Sequence, residues 1–180
     1  MRKIQNEELG RLSVDDYKEA QKRPVAVVLD DVRSLNNIGS VFRSADAFRC
    51  HSVLLCGITA TPPHREIHKT ALGAEDSVEW HYFPTVLEAV QQLKSNGFKI
   101  IVIEQVEGSI SLEKFMPEKE ISYAFIFGHE VYGVSQDIVN IADHTIEIPQ
   151  QGTKHSLNIA VSAGIVLWDY VSKTGVGLVK

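Results

Sequence analysis

Short apolar runs rich in β-branched residues recur along the chain, at residues 25–29, 52–56, 78–82, 99–103, 123–127 and 145–148. Their apolar positions are continuous rather than alternating, which is typical of strands that are covered on both faces of a sheet. Segments with helical spacing separate these runs. In the clearest of them Thr85 is the expected N-cap, and Asn96 and Gly97 end the helix. The alternation predicts an α/β fold with a mostly parallel, doubly wound sheet.

The two ends of the chain differ from this pattern. Residues 1–23 are polar and charged, with Leu9, Leu12, Val14 and Tyr17 spaced as in an amphipathic helix, and we expect Pro24 to end this N-terminal arm. Residues 159–168 predict a final helix that is apolar nearly all round, and therefore buried or part of an interface. We expect one domain at 24–180, with no internal repeat or linker between residues 24 and 172.

Composition narrows the class of protein. The chain has 180 residues, of which 44% are hydrophobic and 23% charged, as in one ordinary globular domain. Its net charge of −5 means that binding to a nucleic acid would need a local basic patch.

Cys50 and Cys56 match no redox or zinc spacing, so we expect reduced, buried thiols. Because no apolar signal segment or membrane span is evident, we expect a cytoplasmic protein.

Ligands of open α/β sheets bind beyond the carboxyl ends of the strands, so the loops there hold the candidate chemistry. After the first predicted strand, Asn37 and Arg43 lie at the start of a helix. A helix N-terminus and an arginine both suit phosphate or ribose oxygens. The alternative interpretation makes Asn37 an N-cap and Arg43 a solvated helix charge.

Two further loops hold glycines and polar residues after predicted strands. Residues 125–135 run from a strand into a loop with Gly128, Glu130 and Gly133, which matches neither a P-loop nor a dinucleotide fingerprint, and a simple tight turn is the alternative. Residues 146–158 lead from a strand to Ser156 and Asn158 at the start of the last helix. Ser156 is a possible N-cap there, whereas an amide just inside an apolar helix needs hydrogen-bond partners.

Together and in this order, these three segments resemble the motifs of the SpoU/TrmH family of SPOUT-class RNA ribose methyltransferases, over about residues 25–170. The first motif is matched by an Asn and, six positions later, an Arg. The second is Gly-x-Glu-x-x-Gly, and the third is Ile-Pro followed by Ser-Leu-Asn. The matching residues are Asn37, Arg43, Gly128, Glu130, Gly133, Ile148, Pro149, Ser156, Leu157 and Asn158.

The resemblance implies a sheet whose carboxyl-terminal third forms a deep trefoil knot that binds S-adenosylmethionine. It also implies a homodimer whose active site is completed across the interface, a role that suits the last helix. The cofactor-binding residues that it implies are Ile103, Glu104, Gly128, Ile148, Gln150, Ser156 and Leu157.

The implied reaction transfers a methyl group to a ribose 2′-oxygen in tRNA or rRNA without a metal. A D-arm guanosine of tRNA is the first candidate, and the anticodon loop and rRNA are the open alternatives. The implied catalytic set is Arg43, Asn37, Glu130, Ser156 and Asn158. Because a guanidinium remains charged at any accessible pH, we hypothesise that Arg43 binds the phosphate beside the target ribose. We expect Glu130 to pair with Arg43 and to orient its guanidinium.

Several alternatives remain open at this stage. One is RNA base methylation, and another is a non-catalytic flavodoxin-like domain that uses Asp30 or Asp31. His64 and His68 have a zinc-compatible spacing on a helix but lack a third ligand. His129 and His155, inside the second and third motifs, are possible substrate contacts. The hypothetical RNA-binding patch consists of Arg11, Lys18, Lys22, Arg23, Arg33, Arg43, Arg49, Arg65, Lys69 and Lys154.

Overall fold

The computed structural model describes residues 1–175, which contain a single seven-stranded sheet. Its strands lie in the order β3-β2-β1-β6-β4-β7-β5, and every neighbouring pair is parallel. The predicted α/β fold with a mostly parallel sheet is confirmed. The strands are β1 (Arg23–Asp30), β2 (Cys50–Cys56), β3 (Trp80–Phe83), β4 (Phe98–Ile103), β5 (Ile110–Ser111), β6 (Ser122–Phe127) and β7 (His144–Glu147).

Helices fill the connections between these strands. Thr85 caps the helix that was expected after it, with its hydroxyl accepting from Glu88 N at 3.3 Å, and that helix ends at Ser95 before Gly97. The α-helices are α1 (Val14–Glu19), α2 (Leu35–Ala47), α3 (Arg65–Ala71), α4 (Ala74–Ser77), α5 (Val86–Ser95), α6 (Gln136–Ile141) and α7 (Ile159–Thr174), with 3₁₀ helices at Asn6–Leu9 and Leu112–Lys114.

Apolar layers cover both faces of the sheet, because successive side chains of a strand point to opposite faces. From β1, Val27 packs in the layer that contains α2 and α7, whereas Val28 packs in the layer that contains α5 and α6. Both cysteines are free and buried, as predicted. Burial raises the pKa of the Cys50 thiol to about 12, so this thiol is unreactive at neutral pH.

The N-terminal arm differs from its prediction. Its α-helix ends at Glu19, and Pro24 lies inside β1 instead of ending the arm. A proline fits there because the register between β1 and β2 shifts between Arg23 and Ala26. Tyr17 is the buried anchor of the arm, whereas the three aliphatic positions expected to share its face are at least 40% exposed. The division of the chain into 1–23 and 24–180 stays a prediction, and residues 176–180 lie outside the described residues.

All six predicted strands begin one or two residues from their expected starts, and a seventh strand was not predicted. The third run was expected at 78–82, but Val78 caps the end of α4 and β3 begins at Trp80. The last strand, expected at 145–148, begins one residue earlier. β5 is only two residues long, too short to leave a periodic pattern. Within residues 1–175, no helix is long and apolar enough to cross a membrane.

Candidate active site

A cavity of about 330 Å³ opens beyond the carboxyl ends of β4, β6 and β7. Polar loops follow all three strands at this edge, so the cavity combines backbone groups with apolar strand ends. All seven residues that the resemblance implied for cofactor binding line it. They are Ile103, Glu104, Gly128, Ile148, Gln150, Ser156 and Leu157. The sequence therefore identified a set of residues that the fold brings to one place from four separate segments.

The loop from Gly128 to Gly133 forms one wall of the cavity and is tightly closed. His129 N donates to Gly133 O at 3.1 Å, and Gly133 N donates to His129 O at 2.8 Å. A Cβ on Gly128 would lie 2.2 Å from the carbonyl carbon of Gly133, and Gly133 itself has a φ of +66°. Because both positions need glycine, the two glycines of the second motif have a structural reason as well as a place in the site.

Glu104 holds the same loop from the end of β4. Its Oε1 accepts from Gln105 N at 2.9 Å, and its Oε2 accepts from Val134 N at 3.3 Å. A Cβ on Gly133 would lie 2.1 Å from Oε2, so the carboxylate packs directly against this glycine. The contact joins the ends of β4 and β6 on one side of the cavity.

Three motif residues form a hydrogen-bonded chain beside the cavity. Asn158 Nδ2 donates to Asn37 Oδ1 at 3.1 Å, and the Asn37 side chain also bonds to the Glu130 carboxylate. That carboxylate further accepts from the backbone N–H groups of Arg33 (3.2 Å) and Ser34 (3.1 Å). One residue from each motif is thus connected, across a sequence separation of 121 residues between Asn37 and Asn158.

The Glu130 carboxylate is an anion in this arrangement. Partial burial acts to raise its pKa, but this effect is outweighed by hydrogen bonds from its own backbone N–H, from the N–H groups of Arg33 and Ser34, and from the Asn37 side chain. The net result is a pKa below the usual range. Glu130 therefore fixes the start of α2 against the second motif loop.

The helix caps differ from the expected ones. Ser34 caps α2, with its hydroxyl accepting from Asn37 N at 3.3 Å, so Asn37 lies in the first turn. Asn158 caps α7 by accepting from Ala160 N (2.9 Å) and Val161 N (3.4 Å), so it lies before the helix and Ser156 is not the N-cap. In both cases a side-chain group stays available for the hydrogen-bonded chain. Asn37 caps no helix, and Asn158 uses only its Oδ1 as the cap, so its Nδ2 can donate to Asn37.

Arg43 does not pair with Glu130, and that expectation is wrong. Its guanidinium is exposed and makes no ion pair or hydrogen bond within residues 1–175. Arg43 lies six positions after Asn37, about 9 Å along a helix axis. The backbone N–H groups before α2 are nearer to Glu130 and occupy its oxygens. Arg43 and Asn37 are also absent from the lining of the cavity, whereas Glu130, Ser156 and Asn158 belong to it.

Other lining residues were not singled out from the sequence, among them Gln105, Phe127, Glu147, Ile159 and Ser162. Gln105 connects two loops, since its Nε2 donates to His155 O at 3.0 Å. The sequence feature that could have identified Gln105 is its position directly after Glu104, beyond a predicted strand. Phe127 and Glu147 are the last residues of β6 and β7, but nothing in the sequence shows which strands are neighbours in the sheet.

Three residues considered for a zinc site or a flavodoxin-like site, His64, His68 and Asp31, have structural roles within the fold. His64 is the N-cap of α3, and His68 pairs with Glu75 at 2.6 Å. Across residues 1–175, no group of three or more His, Cys, Asp or Glu side chains could hold a metal ion. Asp31 Oδ1 accepts from Ile58 N at 2.9 Å, and Asp30 is buried.

Two members of the hypothetical basic patch are used inside the protein, which corrects that hypothesis. Arg23 is only 8% exposed, and its Nη1 donates to Gly175 O at 3.1 Å. Lys22 Nζ donates to the carbonyl oxygens of Tyr17, Lys18 and Ala20. Arg33, Arg43, Arg65, Lys69 and Lys154 are exposed.

Comparison with known proteins gives consistent matches over most of the chain. The family model that describes the SpoU rRNA Methylase family matches residues 24–168. The 23S rRNA (guanosine-2′-O-)-methyltransferase RlmB of Nitrosomonas europaea is 29% identical over 171 residues, which cover 92% of this chain and 65% of that protein. The tRNA (guanosine(18)-2′-O)-methyltransferase of Thermus thermophilus is 27% identical over 169 residues, which cover 90% and 81%. The chain thus spans less than two thirds of the RlmB protein.

Solved structures share the fold. An AdoMet-bound rRNA methyltransferase from Sinorhizobium meliloti is similar with a TM-score of 0.78 and 23% identity, covering 87% of this chain and 59% of that one. The TrmH/SpoU tRNA modifying enzyme of A. aeolicus is similar with a TM-score of 0.75 and 25% identity, covering 87% and 78%.

Proposed function

Because the chain belongs to the SpoU rRNA methylase family, we propose that it transfers the methyl group of S-adenosylmethionine to a ribose 2′-hydroxyl of an RNA. The observation that carries the proposal is the single cavity lined by all seven residues that the family resemblance implied for cofactor binding. The relatives described above are named for guanosine 2′-O-methylation, one of 23S rRNA and one of tRNA. Our first candidate substrate is a D-arm guanosine of tRNA and the second is rRNA, both of which imply the cytoplasm.

The cavity suits a ligand of this kind. Its volume of about 330 Å³ falls within the range of small-molecule sites. Ile148 and Leu157 offer apolar contacts, Gln150 and Ser156 offer hydrogen bonds, and the missing side chain of Gly128 lets a ligand approach the backbone. When bound, S-adenosylmethionine supplies an electrophilic methyl group for the 2′-oxygen.

The residues around the cavity have separate roles in this proposal. The Glu130–Asn37–Asn158 chain holds the first turns of α2 and α7 beside the cavity, and Ser156 faces the substrate from the third motif. Arg43 binds the phosphate next to the target ribose and stabilises negative charge on the 2′-oxygen, since a charged guanidinium is a donor only. The proton of the 2′-hydroxyl then leaves to the phosphate or to water.

We also propose a homodimer that forms through α7. Val161 (50%), Ile165 (37%) and Trp168 (52%) are exposed at helical spacing on this helix, and the Trp168 ring lies 6.1 Å from that of Phe48 in α2. Covering this stripe would bury apolar surface, which favours association. A site completed across such an interface accounts for an Arg43 that lies outside the cavity of its own chain.

The carboxyl-terminal third is proposed to form the deep trefoil knot. Two observations support this: β7 inserts between β4 and β5, which both precede it in the chain, and α7 returns to pack against α2. The loop of residues 148–158 then connects the inserted strand to α7 along the cavity.

The decisive experiment incubates the purified protein with methyl-labelled S-adenosylmethionine and, separately, unmodified tRNA and rRNA pools, followed by digestion to nucleosides. We expect a labelled 2′-O-methylnucleoside from the tRNA pool. Label on a base would show that the protein methylates bases instead of riboses. Failure to bind the cofactor would contradict the assignment of the cavity.

A further inference from the structure

Two large side chains at the tip of the second motif loop have no role in the reaction described above. Tyr132 is 83% exposed and Val131 is 73% exposed. Their neighbours on both sides, Glu130 and Gly133, line the cavity, so the tip stands at its rim. The exposed ring is therefore next to the place where the substrate must enter.

The Tyr132 ring is held in place by His129. The two ring centroids are 4.8 Å apart with an interplanar angle of 37°. His129 Nδ1 accepts from Val131 N at 2.9 Å and from Tyr132 N at 3.4 Å, so the histidine ring is tied to the backbone of the tip. Together with the paired bonds between His129 and Gly133, these contacts order the loop before any substrate binds. One side of the tyrosine ring is supported by His129, and most of the ring is open to solvent.

We propose that Tyr132, supported by His129, is a stacking platform for the base of the nucleotide that is methylated. The inference rests on the proposed function and names the contact that receives the substrate. A base is attached to the sugar carbon next to the one that carries the 2′-hydroxyl. A ribose placed at the cavity must therefore have its base within a few Å of the rim. Stacking on an aromatic ring is the common way for proteins to bind an unpaired base.

The first test compares the kinetics of Tyr132→Ala and Tyr132→Phe with those of the unaltered protein. Stacking on an aromatic side chain contributes enough that its loss lowers kcat/KM for RNA by about 5- to 150-fold. We expect that loss in Tyr132→Ala, mainly through KM, and activity within about twofold of the unaltered protein in Tyr132→Phe, which keeps the ring. The Kd for S-adenosylmethionine should not change in either variant.

Met116→Ala is the matched control. Met116 is 72% exposed, but it follows Phe115, whose ring contacts Tyr123 and His144 at the amino ends of β6 and β7. It therefore lies at the opposite edge of the sheet from the cavity. This variant should keep the RNA kinetics of the unaltered protein. If Tyr132→Ala instead changes the oligomeric mass, the ring serves an interface between chains and the platform is wrong.

The second test removes the base rather than the ring. An RNA with an abasic ribose at the mapped target position should lower kcat/KM of the unaltered protein by the same factor as Tyr132→Ala. The variant and the abasic RNA together should lower kcat/KM by no more than either change alone, because both remove the same contact. If the two losses in kcat/KM multiply, the platform is wrong, and it is also wrong if Tyr132→Ala has normal kinetics. If the unaltered protein methylates no RNA at all, the proposed function fails first and the platform with it.

Discussion

Gly128→Ala tests whether the second motif loop shapes the cavity. A Cβ at this position would lie 2.2 Å from Gly133 C, 2.3 Å from Gly133 O and 2.4 Å from Val134 N. All three are backbone atoms, so no side chain can rotate away to make room. The end of β6 and the segment 133–134 must then move apart by about 1 Å to reach ordinary contact distance.

The cost follows from the bonds that this movement breaks. The two reciprocal backbone hydrogen bonds between His129 and Gly133 contribute about 1 kcal/mol each, so the free energy of unfolding should fall by about 2 kcal/mol. Val134 N also moves away from Glu104 Oε2, which weakens the contact that joins the ends of β4 and β6. Because a misplacement of about 1 Å in catalytic geometry can lower the rate about 100-fold, we expect a loss of that order in methyl transfer, together with a weaker affinity for S-adenosylmethionine.

Isothermal titration calorimetry with S-adenosylmethionine measures the affinity, and urea denaturation measures the stability. Gly152→Ala is the control, because a Cβ there would meet no atom within 4 Å, and it should behave like the unaltered protein. If Gly128→Ala binds the cofactor with normal affinity, the loop does not shape the binding site and the reasoning is refuted.

Three further predictions concern other parts of the molecule. Arg43→Ala should lower the rate of methyl transfer by at least about 100-fold with unchanged cofactor affinity, and normal turnover would contradict its role. Arg2→Ala, which removes an exposed arginine outside the hypothetical RNA-binding patch, should stay near normal. Trp168→Glu should turn a dimer into a monomer in light scattering, and an unchanged mass would place the interface elsewhere. Burial, and then the charge of Asp31, raise the pKa of Asp30 from 3.8 to about 6, so its ionisation destabilises the folded protein as the pH rises through this range. Asp30→Asn should therefore raise the free energy of unfolding by about 2–3 kcal/mol at pH 8 and by little near pH 4, and an equal gain at both pH values would refute the assignment.

The contacts that sequence reasoning missed lie between segments. Glu130 was expected to pair with Arg43 because opposite charges in two motifs suggest a pair. In the structure, the N–H groups of Arg33 and Ser34 reach the carboxylate first. Unpaired N–H groups at a helix start are present in every helix, so their choice of partner depends on which loop lies against them. No pattern within either motif contains that information.

Local patterns were sufficient wherever the cause is local. Continuous apolar runs predicted the buried parallel strands, and the Thr85 cap predicted the start of α5. The loops after the strands pointed to Gly128, Glu130, Ser156 and Asn158, while the rest of the cofactor-binding set came from the resemblance to the family. These features depend on side chains a few positions apart, whose burial or capping the chain decides by itself. The order β4-β7-β5, the link from Asn37 to Asn158 and the exposed position of Tyr132 beside His129 were decided only by the tertiary structure. The first two join segments that are distant in sequence, and the third depends on no other segment covering the tip of the loop. The packing of the whole sheet decides which segments meet.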